Sequence, residues 1–287
     1  MASTTLATRG LLALIIAAFS RPFFDGGGCY AEQGRVVVET RGHRGGVAIS
    51  VSDNPPRWAQ SGVIQIFSTN GGQPKSLLAS FDGQPAIAGW SADSKRIYFS
   101  EPKGTGTQIY VLDVAANRID EIKTTPAVIG GFNLNSTGTT FGFVRQTSDT
   151  PGDAFISSVS DFNPVQITKV NADFKMPAIG RTEVITWKSK DGKQIEGLLT
   201  YPVGYQAGQK VPLILNVHGG PAGVFQQAFI GGRGVYPLAT FAARGYAILR
   251  PNPRGSSGYG AEFRRANIQD WGLGDYVDLM TGADRVI

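Results

Sequence analysis

The sequence predicts two regions of different fold class, a set of small antiparallel β-sheets followed by an α/β domain. Strand-like units recur with a period of about 43–44 residues between about 35 and 170, and strand and helix patterns alternate after about 176. Glycine makes up 38 of 287 residues, about twice the usual share, which favours tight turns and short strands over long helices.

The repeated unit is clearest in "WSADSKRIYFSEPKGTGTQIYVLD", which begins at Trp90 with a turn and continues as two strands around a Lys-Gly-Thr-Gly turn. A partner copy begins at Leu134, 44 residues later, and a partial copy puts Gln65 43 residues before Gln108. Such periods, with about four short strands a unit, are typical of WD40/TolB-like propeller blades. About three units fit, so residues 32–175 are predicted to be a partial β-propeller. The alternative is a β-sandwich with accidental internal similarity.

Residues 176–287 are predicted to form the α/β domain. "TEVITWKSKDGKQIEGLLTYP" is a hairpin around Asp191-Gly192, because Asp-Gly favours a two-residue turn. The strand "VPLILNV", the helix "YPLATFAARGY" and the strand plus glycine loop "AILRPNPRGSSGYG" follow. This alternation predicts a largely parallel sheet.

A last helix is predicted from Asp275, with that aspartate as its N-cap. Helical spacing puts Tyr276, Leu279, Met280 and Ala283 on one face, and Asp278 lies in the first turn.

The candidate functional residues are His218, Gly219 and Gly220, in a loop that directly follows the strand "VPLILNV". In an α/β sheet, chemistry takes place outside the carboxyl ends of the strands. Two glycines leave the backbone N–H groups accessible, and such a donor stabilises the oxyanion of a tetrahedral intermediate by about 3–4 kcal/mol. The alternative is a tight turn with an incidental histidine.

The succession of "ILNVHGGPAG", "FAARGYAILRPNPRGSSGYGAEF" and "DWGLGDYVDLMTGADRVI" resembles the start of the catalytic domain of the prolyl oligopeptidase family of serine peptidases. The resemblance covers about 180–287 well and 50–170 loosely, and the histidine before Gly-Gly-Pro is more like the acylaminoacyl-peptidase and bacterial oligopeptidase branch. It implies a propeller followed by an α/β-hydrolase domain and hydrolysis of short peptides through an acyl-enzyme. It also implies an oxyanion donor in the Gly220 region. The sequence has no P-loop and no dinucleotide fingerprint in a strand-to-helix context, so we predict no cofactor.

The nucleophile that such an enzyme needs is missing from the sequence. There is no G-x-S-x-G motif, and the two histidines are His43 and His218. Ser256 and Ser257, in "RGSSGYG", are interpreted as part of a structural loop. The chain is therefore interpreted as a fragment with an incomplete α/β-hydrolase domain, inactive as given because the nucleophile, the acid and the base are absent. An esterase on the same fold and a non-catalytic exported propeller-type binding protein are the alternatives.

The N-terminus predicts export. "LLALIIAAF" is too short to span a bilayer but suits a signal peptide, so residues 1–31 are assigned to one and the protein to a secreted or periplasmic location. A buried N-terminal helix is the alternative.

Composition limits the partners. The net charge of +5 is not gathered in a basic block, which argues against nucleic acid. Cys29 is the single cysteine, and no His/Asp/Glu cluster has ligand spacing, so we predict neither a disulfide nor a metal site.

Overall fold

A computed structural model describes residues 46–52, 61–220, 222–232 and 236–287 of the chain. The predicted signal peptide and His43 lie outside these residues. The strands are β1 Gly46–Ser52, β2 Gly62–Ser68, β3 Lys75–Ser76, β4 Ala86–Trp90, β5 Arg96–Lys103, β6 Gly106–Asp113, β7 Arg118–Ile122, β8 Val128–Leu134, β9 Thr140–Gln146, β10 Asp153–Ser158, β11 Val165–Gln166, β12 Thr182–Lys188, β13 Gln194–Thr200, β14 Leu213–Leu215 and β15 Ala247–Asn252. The helices are α1 Leu238–Ala243, α2 Ala261–Arg265 and α3 Gly274–Val286.

The first eleven strands form three antiparallel sheets in chain order, β1-β2-β3, β4-β5-β6-β7 and β8-β9-β10-β11. The repeat seen in the sequence agrees with these sheets, because Trp90 and Leu134 are the last residues of the first strands of the two four-stranded sheets. The following turns also match, since Ser94 and Gly138 both adopt a left-handed backbone, with φ of 58° and 70°. The two sheets are thus copies of one supersecondary unit.

Each sheet packs on the next through a cluster of buried side chains. Aromatic residues dominate the second contact, where Tyr98 meets Phe141 edge to face at 5.1 Å between ring centroids. The first cluster contains Ala48, Ile64, Leu77, Ile87, Trp90, Ile97, Phe99, Tyr110 and Leu112, and the second contains Ala88, Tyr98, Ile109, Ile129, Phe132, Phe141 and Phe143. Face-to-face packing of successive small sheets is how propeller blades bury their apolar faces.

The fourth sheet has the order β12-β13-β15-β14. The hairpin predicted around Asp191-Gly192 is confirmed as β12 and β13. The prediction of a largely parallel sheet is wrong for the described strands, because β13 pairs antiparallel with β15, and β14 with β15 is the one parallel pair. The reason is that the hairpin joins the same sheet as the strands that follow it.

The last helix is confirmed, but its cap differs from the prediction, and of the four residues on the apolar face only Ala283 is buried. It begins at Gly274, and Asp275 lies in its first turn, where Oδ1 accepts the N–H groups of Gly272 and Tyr276. Tyr276 and Met280 are exposed, and the buried residues are Asp278, Gly282 and Ala283. An ion pair that Asp278 makes with Arg254 explains this orientation.

Among the described residues, no helix has both the length and the apolar character that a bilayer crossing requires.

Candidate active site

The loop with the predicted site residues leaves the sheet at the carboxyl end of β14. The N–H of Asn216 still donates to the carbonyl of Leu249 on β15, 2.9 Å away, and the chain then turns at His218. Because β14 and β15 are parallel, the loop after β15 leaves from the same edge of the sheet. The structure therefore brings residues 218–220 and 222–225 against residues 252–260, and we call these the oxyanion loop and the support loop.

Gly220 is a position that only glycine fits. Its φ is +125°, and a Cβ atom there would lie 2.7 Å from the backbone nitrogen of Gly223. Gly219 and Gly220 are both exposed, and the Gly220 N–H has no acceptor among the described residues. The loop thus presents a free backbone donor at the edge where an α/β sheet carries its chemistry.

The support loop holds the oxyanion loop by hydrogen bonds. The carboxamide of Asn252 accepts the N–H of Phe225 at 2.7 Å and donates to its carbonyl at 3.0 Å. Ser257 donates its hydroxyl to the carbonyl of Ala222 at 2.5 Å and its N–H to that of Gly223 at 3.1 Å. Sequence reasoning interpreted "RGSSGYG" as structural but did not link it to the histidine loop 38 residues earlier.

His218 and Ser256 form a contact that the sequence did not reveal. Nε2 of His218 lies 3.0 Å from Oγ of Ser256, as in a base–nucleophile pair. However, Ser256 is fully buried, and its hydroxyl donates to the carbonyl of Pro253 at 2.7 Å. The other ring nitrogen, Nδ1, faces the carbonyl of Gly219 at 3.1 Å instead of a carboxylate. A buried hydroxyl with no orienting acid is not placed to attack a substrate, so this pair is part of the scaffold.

Burial affects the protonation of two side chains at the site, His218 and Tyr259. Burial lowers the pKa of His218, so its imidazole is neutral at neutral pH. Beneath the loops, Asn252 Nδ2 donates to the hydroxyl of Tyr259, which in turn donates to Glu196, both at 2.9 Å. Burial raises the pKa of Tyr259, which keeps its hydroxyl protonated as a donor.

The turn between β5 and β6 contacts the loops from the propeller-like side. Gly104 donates its N–H to the carbonyl of Gly258 at 2.7 Å, and the side chain of Gln226 donates to the carbonyl of Gly106 at 2.7 Å. Gln226 directly follows Phe225, so the end of the oxyanion loop is fixed to this turn.

In the part of the chain that the structure describes, no group of three His, Cys, Asp or Glu side chains could hold a metal ion. A cavity of about 410 Å³ lies between the β9–β10 hairpin and residues 166–176, and none of its lining residues belongs to the two loops. The candidate site is therefore the pair of loops.

Comparison with known proteins agrees with this architecture. Residues 236–287 match the family model described as the prolyl oligopeptidase family. The chain is 29% identical over 213 residues to the uncharacterized peptidase YuxL of Bacillus subtilis, covering 74% of this chain and 31% of the relative. It is 26% identical over 227 residues to a probable dipeptidyl-peptidase 5 of Emericella nidulans, covering 76% and 30%.

Solved structures show the same fold over most of the described residues. An acylaminoacyl peptidase in complex with Z-Gly-Gly-Phe-chloromethyl ketone matches with a TM-score of 0.66 and 25% identity, covering 83% of this chain and 36% of that one. The acylaminoacyl peptidase of Pyrococcus horikoshii matches with a TM-score of 0.65 at 24% identity, over 83% and 36%. The chain is thus related to the prolyl oligopeptidase family of serine peptidases and spans about a third of the length of the curated relatives it matches.

Proposed function

We propose that this chain, as a relative of the prolyl oligopeptidase family, supplies part of the propeller and the oxyanion loop of a serine peptidase that cleaves short peptides through an acyl-enzyme. The observation that carries the proposal is the free N–H of Gly220, held at the carboxyl edge of the sheet by a loop in which only glycine fits. A rigid donor of this kind stabilises the charge that develops on the scissile carbonyl oxygen. The peptidyl chloromethyl ketone bound by one structural relative supports a short peptide as the substrate.

The nucleophile, the acid and the base of this peptidase lie, in our proposal, outside these 287 residues. The support is that His218 is bound to the support loop and that Ser256 is buried. In addition, the chain matches only about a third of the length of its relatives. The partial propeller and the incomplete α/β-hydrolase domain, with the division near residue 175, belong to the same proposal. The 287-residue chain alone is then inactive, because it has neither a nucleophile to acylate nor a base to activate one.

A fluorophosphonate probe tests this assignment, because it reacts with activated serines. We expect no adduct mass on the purified 287-residue chain, and one adduct on the longer protein that contains it, at a serine outside positions 1–287. The variant Ser256→Ala serves as the control and should behave as the parent chain does. Stoichiometric labelling of Ser256 or Ser257 in the parent would overturn the proposal and make the support loop the active site.

The same longer protein separates the peptidase from an esterase on this fold. We expect turnover of short peptide p-nitroanilides. Hydrolysis of p-nitrophenyl esters with no cleavage of any peptide substrate would favour the esterase, and no hydrolysis of either class would favour a binding protein.

Export through the N-terminal segment is a further part of the proposal, supported by the nine-residue apolar run before residue 20. We expect the protein expressed with its own N-terminus to lose about 20–31 residues. Intact-mass measurement of cell-envelope material would contradict this if Met1 were still attached.

A further inference from the structure

Two cations, Arg145 and Lys169, line the cavity between the β9–β10 hairpin and residues 166–176. Arg145 is partly buried and Lys169 is exposed. Neither forms an ion pair with a carboxylate in the part of the chain that the structure describes. The volume of about 410 Å³ is in the range of small-molecule sites, so both charges are available to a ligand of that size.

Arg145 does not pair with its cross-strand neighbour, Asp153. The two residues lie directly opposite each other on β9 and β10, a register in which opposite charges attract. The carboxylate of Asp153 instead accepts hydrogen bonds from the side chains of Gln166 and Thr168 and from the N–H of Val170. The hairpin thus satisfies Asp153 without using the guanidinium of Arg145.

The wall around Arg145 is both cationic and apolar. Its guanidinium lies over the ring of Phe155, 5.8 Å from the centroid, and Nη2 donates to the hydroxyl of Thr125 at 3.3 Å. A guanidinium has five N–H donors, so most of them remain for a ligand. Phe155, which stacks on Phe143, and Met176 supply apolar surface to the lining. The cavity therefore suits a carboxylate that is attached to an apolar group.

The other polar groups of the lining fit a peptide better than a simple anion. Gln146 accepts the N–H of Phe229 through Oε1 at 3.1 Å, which leaves its NH2 group to donate to a carbonyl. The hydroxyls of Thr147 and Thr150 donate to Oδ1 of Asp149, which lowers the pKa of this carboxyl and leaves Oδ2 to accept an N–H. A donor for a carbonyl, an acceptor for an N–H and two cations are together the complement of a peptide that ends in a carboxylate.

One wall of the cavity is joined to the segment that follows the oxyanion loop. Besides the bond from Phe229 to Gln146, the N–H of Ile230 donates to the carbonyl of Ser148 at 3.2 Å. Phe229 stands four residues after Phe225, the end of the oxyanion loop, and four residues span at most about 14 Å. A short peptide is thus long enough to reach from this wall to the end of the loop.

We propose that this cavity binds the C-terminal carboxylate of a short peptide, with Arg145 and Lys169 holding the carboxylate and Phe155 contacting the last side chain. That the peptide is a substrate rests on the proposed peptidase function. The preference of the cavity for a peptide that ends in a carboxylate rests on the lining residues alone.

Calorimetric titration of the 287-residue chain tests the binding. The ligands are acetyl-Gly-Gly-Phe with a free carboxylate, the same peptide as its C-terminal amide, and inorganic phosphate. We expect the acid to bind about 10-fold more tightly than the amide, because the amide loses the charge-assisted hydrogen bonds, and more tightly than phosphate. Equal affinities for acid and amide, or no binding of the acid at millimolar concentration, would overturn the proposal. Phosphate that binds as tightly as the acid would overturn the assignment to peptides.

Two variants and a control locate the site. Arg145→Met and Lys169→Met keep an unbranched side chain and remove one charge, so each should weaken binding of the acid about 10-fold and that of the amide by less. Lys175→Met, at an exposed lysine that does not line the cavity, is the matched control and should bind as the parent chain does. Undiminished binding in both cavity variants, or an equal loss in all three, would overturn the site.

Kinetics of the longer protein test whether the bound peptide is a substrate. We expect kcat/KM to be about 10-fold higher for a peptide with a free C-terminal carboxylate than for its amide, through KM and with kcat nearly unchanged. Arg145→Met should remove this preference. Equal kcat/KM for both peptides, beside the expected binding to the 287-residue chain, would overturn the substrate part. A parent protein without peptidase activity would instead refute the proposed function and leave the binding result standing.

Discussion

Arg250 shows at the scale of one residue how the site region departs from an ordinary core. It lies on β15, two residues before Asn252, and is 4% exposed. Its Nε and Nη2 atoms are buried without a hydrogen-bond partner among the described residues, and its guanidinium lies over the ring of Phe225, 5.7 Å from the centroid. Burial lowers its pKa to about 10, because the surroundings disfavour the charge. The side chain thus carries an unfavourable desolvation cost that the ring offsets only in part.

Replacing Arg250 with methionine should therefore stabilise the 287-residue chain. The change keeps an unbranched side chain under Phe225 and removes the buried charge, so we expect the free energy of unfolding in urea to rise by about 1–3 kcal/mol. The control is Arg145→Met, since Arg145 also lies over a ring, that of Phe155, but is partly exposed to solvent. The free energy of unfolding of that variant should differ from that of the parent chain by less than about 0.5 kcal/mol. A loss of stability in Arg250→Met would show that the guanidinium has a partner this structure does not reveal.

At the scale of an element, the close packing of α3 on β12 depends on a glycine, Gly282. Gly282 faces the indole of Trp187, and a Cβ atom there would lie 2.6 Å from Cζ2 of the ring. Trp187 is itself held by a hydrogen bond from Nε1 to the carbonyl of Asp278, 3.0 Å away. The indole therefore has little freedom to move aside.

Gly282→Ala should destabilise the chain although alanine favours helices. The propensity gain is about 1 kcal/mol, whereas forcing a methyl group into a filled contact costs about 1–3 kcal/mol. We expect a net loss of about 1 kcal/mol in the free energy of unfolding, and near-ultraviolet circular dichroism should show a changed environment of the tryptophans. A more stable variant would mean that α3 packs less closely on β12 than the structure shows.

The ion pair between Arg254 and Asp278 fixes the same helix to the support loop. Nη2 and Nε of the arginine lie 2.7 and 2.9 Å from the two carboxylate oxygens, and the backbone N–H of Arg254 also donates to Asp278 at 2.9 Å. Asp278 is fully buried, so solvent cannot replace these bonds.

Asp278→Ala should lower the free energy of unfolding by about 3–5 kcal/mol, because it leaves an unpaired backbone N–H and a mostly buried guanidinium. The remaining partners of that guanidinium are the exposed Asp191 and, at 3.4 Å, the hydroxyl of Ser189. Asp284→Ala, at an exposed position of the same helix, is the matched control. Its free energy of unfolding should differ from that of the parent chain by less than about 0.5 kcal/mol. Urea unfolding of the three proteins gives the comparison. Equal losses in both variants would mean that the effect comes from the helix as a whole and not from the ion pair.

At the scale of the whole molecule, a buried acidic pair joins the sheets to the α/β region. Asp82 accepts the N–H of Gly260 at 3.0 Å and lies 3.5 Å from Nη1 of Arg264. Glu101 lies beside it and accepts the backbone N–H of Asp82. Burial raises the pKa of Asp82 to about 6 despite the opposing effect of Arg264, and burial also raises the pKa of Glu101.

This junction predicts a pH dependence with a definite sign. Because the pKa of Asp82 is higher in the folded than in the unfolded chain, the folded state binds the proton more tightly. The contribution of protonated Asp82 to stability is present below about pH 4 and is lost as the pH rises through about 6.

We therefore expect the stability of the parent chain, measured relative to Asp82→Asn, to fall by about 2 kcal/mol between pH 4 and pH 7. Urea unfolding at several pH values gives the difference. Asp120→Asn, at an exposed ion pair with Arg118, is the control and should show no such change. A difference that stays flat, or rises with pH, would mean that Asp82 is ionised at little cost in the folded protein.

What the sequence alone determined is the set of local elements. The hairpin at Asp191-Gly192, the blade-like units that repeat at Trp90 and Leu134, and the exposed Gly219-Gly220 loop after β14 are encoded in short stretches. Turn chemistry and strand alternation act between neighbouring residues, so they can be interpreted without knowing the fold. The family resemblance rests on the order of these same stretches.

Only the tertiary structure decided which of these stretches meet. Ser256 contacts His218 across 38 positions, Asn252 holds Phe225 across 27, and Asp278 turns α3 so that its polar face is buried. A buried aspartate has the same helical spacing as a solvated one, and its burial is favourable only because Arg254 is present to pair with it. Long-range contacts of this kind depend on the arrangement of several elements at once, and that is why the support for the oxyanion loop became visible only in the folded chain.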